Sequence, residues 1–205
     1  MLGQSRSRPG QSSPQFDAVV IGSSAGGVEA LHVVVSALPA DFPATVLIVQ
    51  HMDPRHKSML AGLLARRCRL PVRQAVSGEP VVVGTVYIAP PAAHLVVRAG
   101  HLALTEGELV NHSRPSIDLL FQSVADAYGD RAIGVVLSGS GVDGADGIRA
   151  VKSKGGTTIA QDPATAAHAG MPQSARATGC VDFILPLPEI GPALVSLVTP
   201  AATEP

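Results

Sequence analysis

The chain has two cysteines in 205 residues, 15% charged residues, and no uninterrupted apolar run near the ~20 residues that a membrane span requires. Cys68 and Cys180 lie far apart and lack metal-type spacing, so they read as buried thiols of a reducing compartment rather than a disulfide. With a net charge of −1, nothing electrostatic favours nucleic acid or an anionic membrane as the main partner. The first ten residues are polar, without the apolar centre of a secretory signal. They read as a disordered tail whose Arg6 and Arg8 are free to touch a partner. No His-Glu-x-x-His pattern surrounds His51 and His56, so no metal is expected. The composition thus points to a cytoplasmic protein without cofactor, metal or membrane insertion.

What is present is apolar: 46% of the chain, enough for a sizeable core in a single domain. Short, nearly continuous apolar runs at 17–21, 44–50, 133–138, 156–160 and 181–185 have the character of parallel strands covered on both faces. Segments 28–38, 57–67, 116–128 and 145–154 between them have helical periodicity. This alternation predicts an α/β fold, a doubly wound and mostly parallel sheet with helices on both faces. Residues 72–104 break the rhythm. There, 81–89 and 94–104 read as short strands around glycine turns, with an antiparallel hairpin signal at Ala99-Gly100. The expected organisation is a tail over 1–16, one domain over 17–198, and a frayed end over 199–205.

The first strand runs into Gly22-Ser23-Ser24-Ala25-Gly26, which fits G-x-S-x-G, and a helix begins near Val28. Such a turn lifts a serine hydroxyl above a sheet, beside the free backbone N–H groups of the next helix. Ser24 is therefore the candidate nucleophile. The same strand, turn and helix also suit a dinucleotide loop. That loop, however, wants glycine where Ser24 stands and an acid at the end of the second strand, and here that strand ends in Gln50-His51-Met52-Asp53.

A serine esterase needs a base and an acid to orient it. Of the seven histidines, His51 directly follows the second strand, where neighbouring strand ends converge in a parallel sheet. His32 reads as a packing or surface residue, and His94, His101 and His112 as surface residues near the hairpin. His168 falls in a loop. For the acid, Ser138-Gly139-Ser140-Gly141-Val142-Asp143-Gly144-Ala145-Asp146 is again a glycine-rich turn between strand and helix. Asp143 and Asp146 both suit helix capping, and one of them can do so while the other faces the histidine. The order Ser24, His51, Asp143 is not that of an α/β-hydrolase, which runs serine, acid, histidine.

Six blocks in order resemble the catalytic domain of the chemotaxis protein-glutamate methylesterase, the CheB family. They are Ile21 to Gly27, Val49-Gln50-His51-Met52, Val86-Tyr87-Ile88-Ala89-Pro90, Arg114 to Phe121, Gly139 to Gly144, and Thr158 to Asp162 followed by Gly170-Met171-Pro172. The likeness covers roughly Asp17 to Ile190. It implies that Ser24 is the nucleophile, His51 the base and Asp143 the orienting acid, with backbone donors at Ala25 and Ser140 holding the oxyanion. The implied reaction is hydrolysis of γ-glutamyl methyl esters on the cytoplasmic helices of a methyl-accepting chemoreceptor or related sensory receptor. Some members also deamidate glutamine. About 16 residues precede the first strand, so a stand-alone domain without the family's receiver domain is expected.

The chain departs from the resemblance in three places. Threonine is frequent where Ala25 stands, and methionine where Ser140 stands. The stretch Asp53-Pro54-Arg55-His56-Lys57-Ser58 is more charged than the family's. Three functions compete: a methylesterase, a catalytically idle receptor-binding module on the same fold, and a nucleotide-binding α/β protein.

Overall fold

The computed structural model describes residues 16–52 and 58–199. The tail expected over 1–16 and the frayed end over 199–205 lie almost wholly outside these residues, as does most of the charged stretch after Met52. Among the described residues, no helix is long and apolar enough to cross a membrane.

Seven parallel strands form one sheet. In chain order they are β1 (Ala18–Ser23), β2 (Thr45–Gln50), β3 (Val72–Gln74), β4 (Val86–Ile88), β7 (Ala132–Val136), β8 (Thr157–Gln161) and β9 (Phe183–Leu185). The spatial order is β3-β4-β2-β1-β7-β8-β9. The chain builds outward from β1 in one direction, then returns to the other side of β1 through β7. The β1/β7 boundary is thus the topological switch point, and ligand sites of such sheets lie at the carboxyl ends of the strands beside it.

Strand alternation sorts the apolar residues into two cores. Val19 and Ile21 of β1, with Val46 and Ile48 of β2, pack in one cluster with α1 (Gly27–Ser36), α2 (Leu60–Ala65) and α6 (Leu187–Val198). Ala18 and Val20, with Leu47 and Val49, face the opposite cluster, which holds α3 (Ile117–Tyr128), α4 (Ala145–Ser153) and α5 (Gly170–Ala177). Strands buried on both faces explain why each run was apolar throughout, with no alternation to polar residues. The hairpin lies on this second side as β5 (His94–Arg98) and β6 (His101–Thr105), antiparallel, with Leu95, Val97 and Leu102 in the core.

The doubly wound architecture and the hairpin are as expected. The break in the rhythm is shorter than the sequence suggested, because β3 and β4 join the parallel sheet beside β2. Two histidine and cysteine expectations change as well. His94 is not a surface residue but is 1% exposed, because it points inward from β5. Both cysteines are only partly buried; burial pushes the Cys68 thiol upward.

Phe121 of α3 is the keystone of the second core. It is fully buried, and its ring approaches the backbone of Gly134 on β7 and Gly147 on α4 so closely that a Cβ at Gly147 would stand 2.6 Å from its own Cβ. Phe121→Ala is expected to remove about 3–5 kcal/mol of stability, read as a lower urea midpoint with an unchanged slope.

Candidate active site

Parallel pairing of β1 with β2 brings the two strand ends level, with Ser23 opposite Gln50. Ser24 and His51, the next residues of each strand, therefore leave the sheet side by side. The backbone N–H of His51 donates to the Ser23 carbonyl at 3.0 Å. Gln50 is buried and staples the two chain exits. Its amide nitrogen donates to the carbonyls of Ser24 and His51, both at 2.8 Å, and its oxygen accepts from the Ser23 hydroxyl at 2.8 Å.

Two glycines make room for this arrangement. Gly26 has φ 72° in the turn after Ser24, a conformation that disfavours a side chain. A Cβ on Gly27 would stand 2.3 Å from the Gln50 side-chain oxygen and 2.7 Å from the Ser23 Cβ. Gly27→Ala is expected to displace the Gln50 staple and cost about 1–3 kcal/mol, read as a lower urea midpoint with an unchanged slope.

The acid arrives from the other side of β1. His51 Nε2 donates to Asp143 Oδ2 at 2.9 Å, with side-chain exposures of 16% and 4%. A carboxylate only accepts, so this bond places the imidazole proton on Nε2 and leaves Nδ1 with a free lone pair. Asp143 does not cap its own helix. It lies at the N-terminus of α3, where Oδ2 also accepts from Ile117 N at 2.8 Å. Its Oδ1 accepts from Asp118 N at 3.0 Å and from the Ser116 hydroxyl at 3.2 Å. Burial works against ionisation, but the bonds from His51, Ile117 and Asp118 outweigh it and hold the Asp143 carboxyl below the ordinary carboxylate range. Asp146, the alternative acid, is exposed and pairs with Arg149.

Ser24 is partly buried and its backbone N–H donates to the Ser138 carbonyl at 3.0 Å, tying the serine turn to the loop after β7. A Cβ on Gly139 would stand 2.9 Å from the Ser24 Cβ, so the side chain packs on this loop, one residue before Ser140. The Ser138 hydroxyl donates to the Ala25 carbonyl at 2.8 Å. Among the described residues the Ser24 hydroxyl forms no hydrogen bond with His51; the pair is juxtaposed by the strand ends. Beside His51 opens a cleft of about 230 Å³, walled by Met52, Leu109, His112 and Arg114. Leu109 is 59% exposed at its edge. The Arg114 guanidinium donates to the carbonyls of Glu106 and Gly107, bracing the wall.

A family model, CheB methylesterase, matches residues 19–194. The chain belongs to the CheB methylesterase family. A protein-glutamate methylesterase/protein-glutamine glutaminase of Anaeromyxobacter dehalogenans is 46% identical over 183 residues, covering 89% of this chain and 54% of that protein. A putative enzyme of the same description from Leptospira interrogans is 39% identical and covered over 95% of its length. The crystal structure of the Thermotoga maritima CheB methylesterase catalytic domain superposes with a TM-score of 0.85 at 39% identity, covering 89% of this chain and 99% of that one. The chain spans about half the length of several of the curated relatives it matches.

Four parts of this CheB-family site are not evident from residue patterns. Gln50 reads as the polar end of a strand, and Ser138 as the start of a turn. Ser116 reads as a helix cap, which it also is, accepting from Leu119 N at 3.4 Å. His94 accepts from Ser116 N at 3.1 Å and pairs with the Glu108 carbonyl at 2.9 Å, so it fixes the helix start that holds Asp143. Gln50 and Ser116 lay within blocks already singled out, but nothing in the pattern showed what either one holds.

Proposed function

We propose that the chain is a protein-glutamate methylesterase, with Ser24, His51 and Asp143 as its catalytic triad. The observation that carries this reading is the His51–Asp143 hydrogen bond at the carboxyl end of the strand next to Ser24. An idle binding module has no need of a buried carboxylate orienting an imidazole beside a serine.

In this mechanism His51 Nδ1 takes the Ser24 proton as Oγ attacks the ester carbonyl of a γ-glutamyl methyl ester. The imidazolium that forms is stabilised by Asp143, which stays ionised. The backbone N–H groups of Ala25 and Ser140 face the developing oxyanion; because the donors are main-chain groups, alanine and serine serve at these positions. Collapse of the tetrahedral intermediate releases methanol, protonated by His51, and leaves a glutamyl ester on Ser24. Water, deprotonated by His51, then attacks that ester and frees the glutamate side chain. A glutamine amide follows the same path with ammonia as the leaving group.

The substrate is carried on the cytoplasmic helices of a methyl-accepting chemoreceptor or related sensory receptor, which places the protein in the cytoplasm. The test is methanol release from methylated receptor membranes, with Ser24→Ala as the comparison. Release by the wild type alone supports the reading. A folded wild type that releases none from several receptor types overturns it in favour of a binding role.

A further inference from the structure

Among the described residues, Asp118 is the one buried carboxylate that the mechanism above does not use. It is 8% exposed, sits in the first turn of α3, and its side-chain hydrogen bonds among the described residues go to Asn111, Gly144 and Gly147. Its two oxygens face different parts of the site. Oδ1 accepts from Gly144 N at 2.9 Å and Gly147 N at 2.7 Å, at the start of α4. Oδ2 accepts from the side-chain amide of Asn111 at 2.7 Å.

The first contact is half of a reciprocal exchange. Asp143, ahead of α4, accepts from the N-terminus of α3; Asp118, inside α3, accepts from the N-terminus of α4. Gly144 directly follows Asp143, so Asp118 pins the peptide that carries the acid. The second contact reaches the cleft. Val110 and Ser113 exchange backbone hydrogen bonds around Asn111 and His112, both in the left-handed region at φ 49° and 61°. Few residues other than glycine adopt this region, and asparagine and histidine are among those that do so most readily. The turn presents His112 to the cleft beside His51, and Asn111 anchors it to Asp118.

We propose that Asp118 is a positioning residue for the reaction, holding Asp143 through Gly144 and the wall of the substrate cleft through Asn111. One carboxylate thereby sets both the acid behind the base and the surface in front of it. A carboxylate this close to Asp143 is an expensive way to cap a helix. Burial, the largest influence, pushes Asp118 up to about 6; the Gly147 N–H opposes this, the charge of Asp143 adds to it, and the Gly144 N–H opposes it again. Three hydrogen bonds satisfy the group, and two of them end on residues that shape the site.

The proposal rests on the esterase reading, and the experiment separates the two. Kinetics of methanol release from methylated receptor membranes are measured for wild type, Asp118→Ala and Asn111→Ala. The low-field proton resonance of the His51–Asp143 hydrogen bond is recorded for each without substrate. Wild-type turnover tests the esterase reading; the resonance reports positioning whatever the substrate is. Asp118→Ala is expected to lower kcat about 10- to 100-fold and to shift or broaden the resonance, as displacement of a reacting group does. Asn111→Ala is expected to raise KM several-fold with a smaller change in kcat, because it frees the wall and leaves the α4 contacts intact. A folded Asp118→Ala with wild-type kcat and an unmoved resonance would overturn the proposal. If that variant does not fold, Asn111→Ala decides: an unchanged KM overturns the proposal, and a raised one supports it.

Discussion

Ser24→Ala abolishes methanol release, by a factor of about 10⁶ in turnover if the serine acts within a triad. The change removes one oxygen and nothing that holds the turn. The bonds of residue 24 to Ser138 and Gln50 both use its backbone, so they survive the substitution. Stability should stay within about 0.5 kcal/mol of wild type. Loss of activity with an unchanged melting curve therefore assigns the nucleophile, whereas residual turnover within tenfold of wild type would remove Ser24 from that role.

Asp143→Asn has the second-largest expected effect, a fall of about 10⁴ in kcat. Four donors converge on this carboxylate: His51 Nε2, Ile117 N, Asp118 N and the Ser116 hydroxyl. An asparagine can turn its oxygen toward only one pair. With its NH₂ toward His51, the imidazole must accept on Nε2 and carry its proton on Nδ1, which then cannot take the proton of Ser24. With its NH₂ toward α3, it meets the Asp118 N–H donor to donor. Either way a backbone N–H is opposed, so the melting temperature should fall along with kcat. The folded-state carboxyl lies below its ordinary range, so its contribution to stability is present above the unfolded-state value near 4 and is lost as pH falls further. The difference in melting temperature between wild type and Asp143→Asn should accordingly shrink in strong acid. A folded variant with kcat within tenfold of wild type would count against Asp143 as the orienting acid.

The proposed Ser24 and His51 were legible because each directly follows an apolar strand, and strand ends in a parallel sheet converge. The pattern left Asp143 and Asp146 both open as the acid, and only the family resemblance pointed to Asp143. The same logic fails where elements are short. Val72–Gln74 and Val86–Ile88 have three residues each, too few to show a period, and only the register with β2 places Val86–Ile88 in the main sheet. The helix Leu187–Val198 is punctuated by Pro188, Gly191 and Pro192, residues that usually mark loops, yet Gly191 lets it pack against Ala37 at the end of α1. His94 read as a surface residue because alternation in a five-residue strand leaves its facing to tertiary packing. Asp118 was equally hidden: an acid in a helix's first turn has a sufficient local explanation in the helix dipole. Nothing in the linear pattern shows that its partner is another helix.

Ser24 and His51 enter the chain within its first quarter, while Asp143 and its cradle at Ile117 and Asp118 are supplied more than sixty residues later. The strand that completes the switch point, Ala132–Val136, docks on the far side of β1 from β2. An assembly holding only the first four strands of the sheet would have the serine and the imidazole but no oriented base. Recovery of esterase activity during refolding therefore times the arrival of the second half of the sheet, a long-range event that helix content, which forms locally, would register too early.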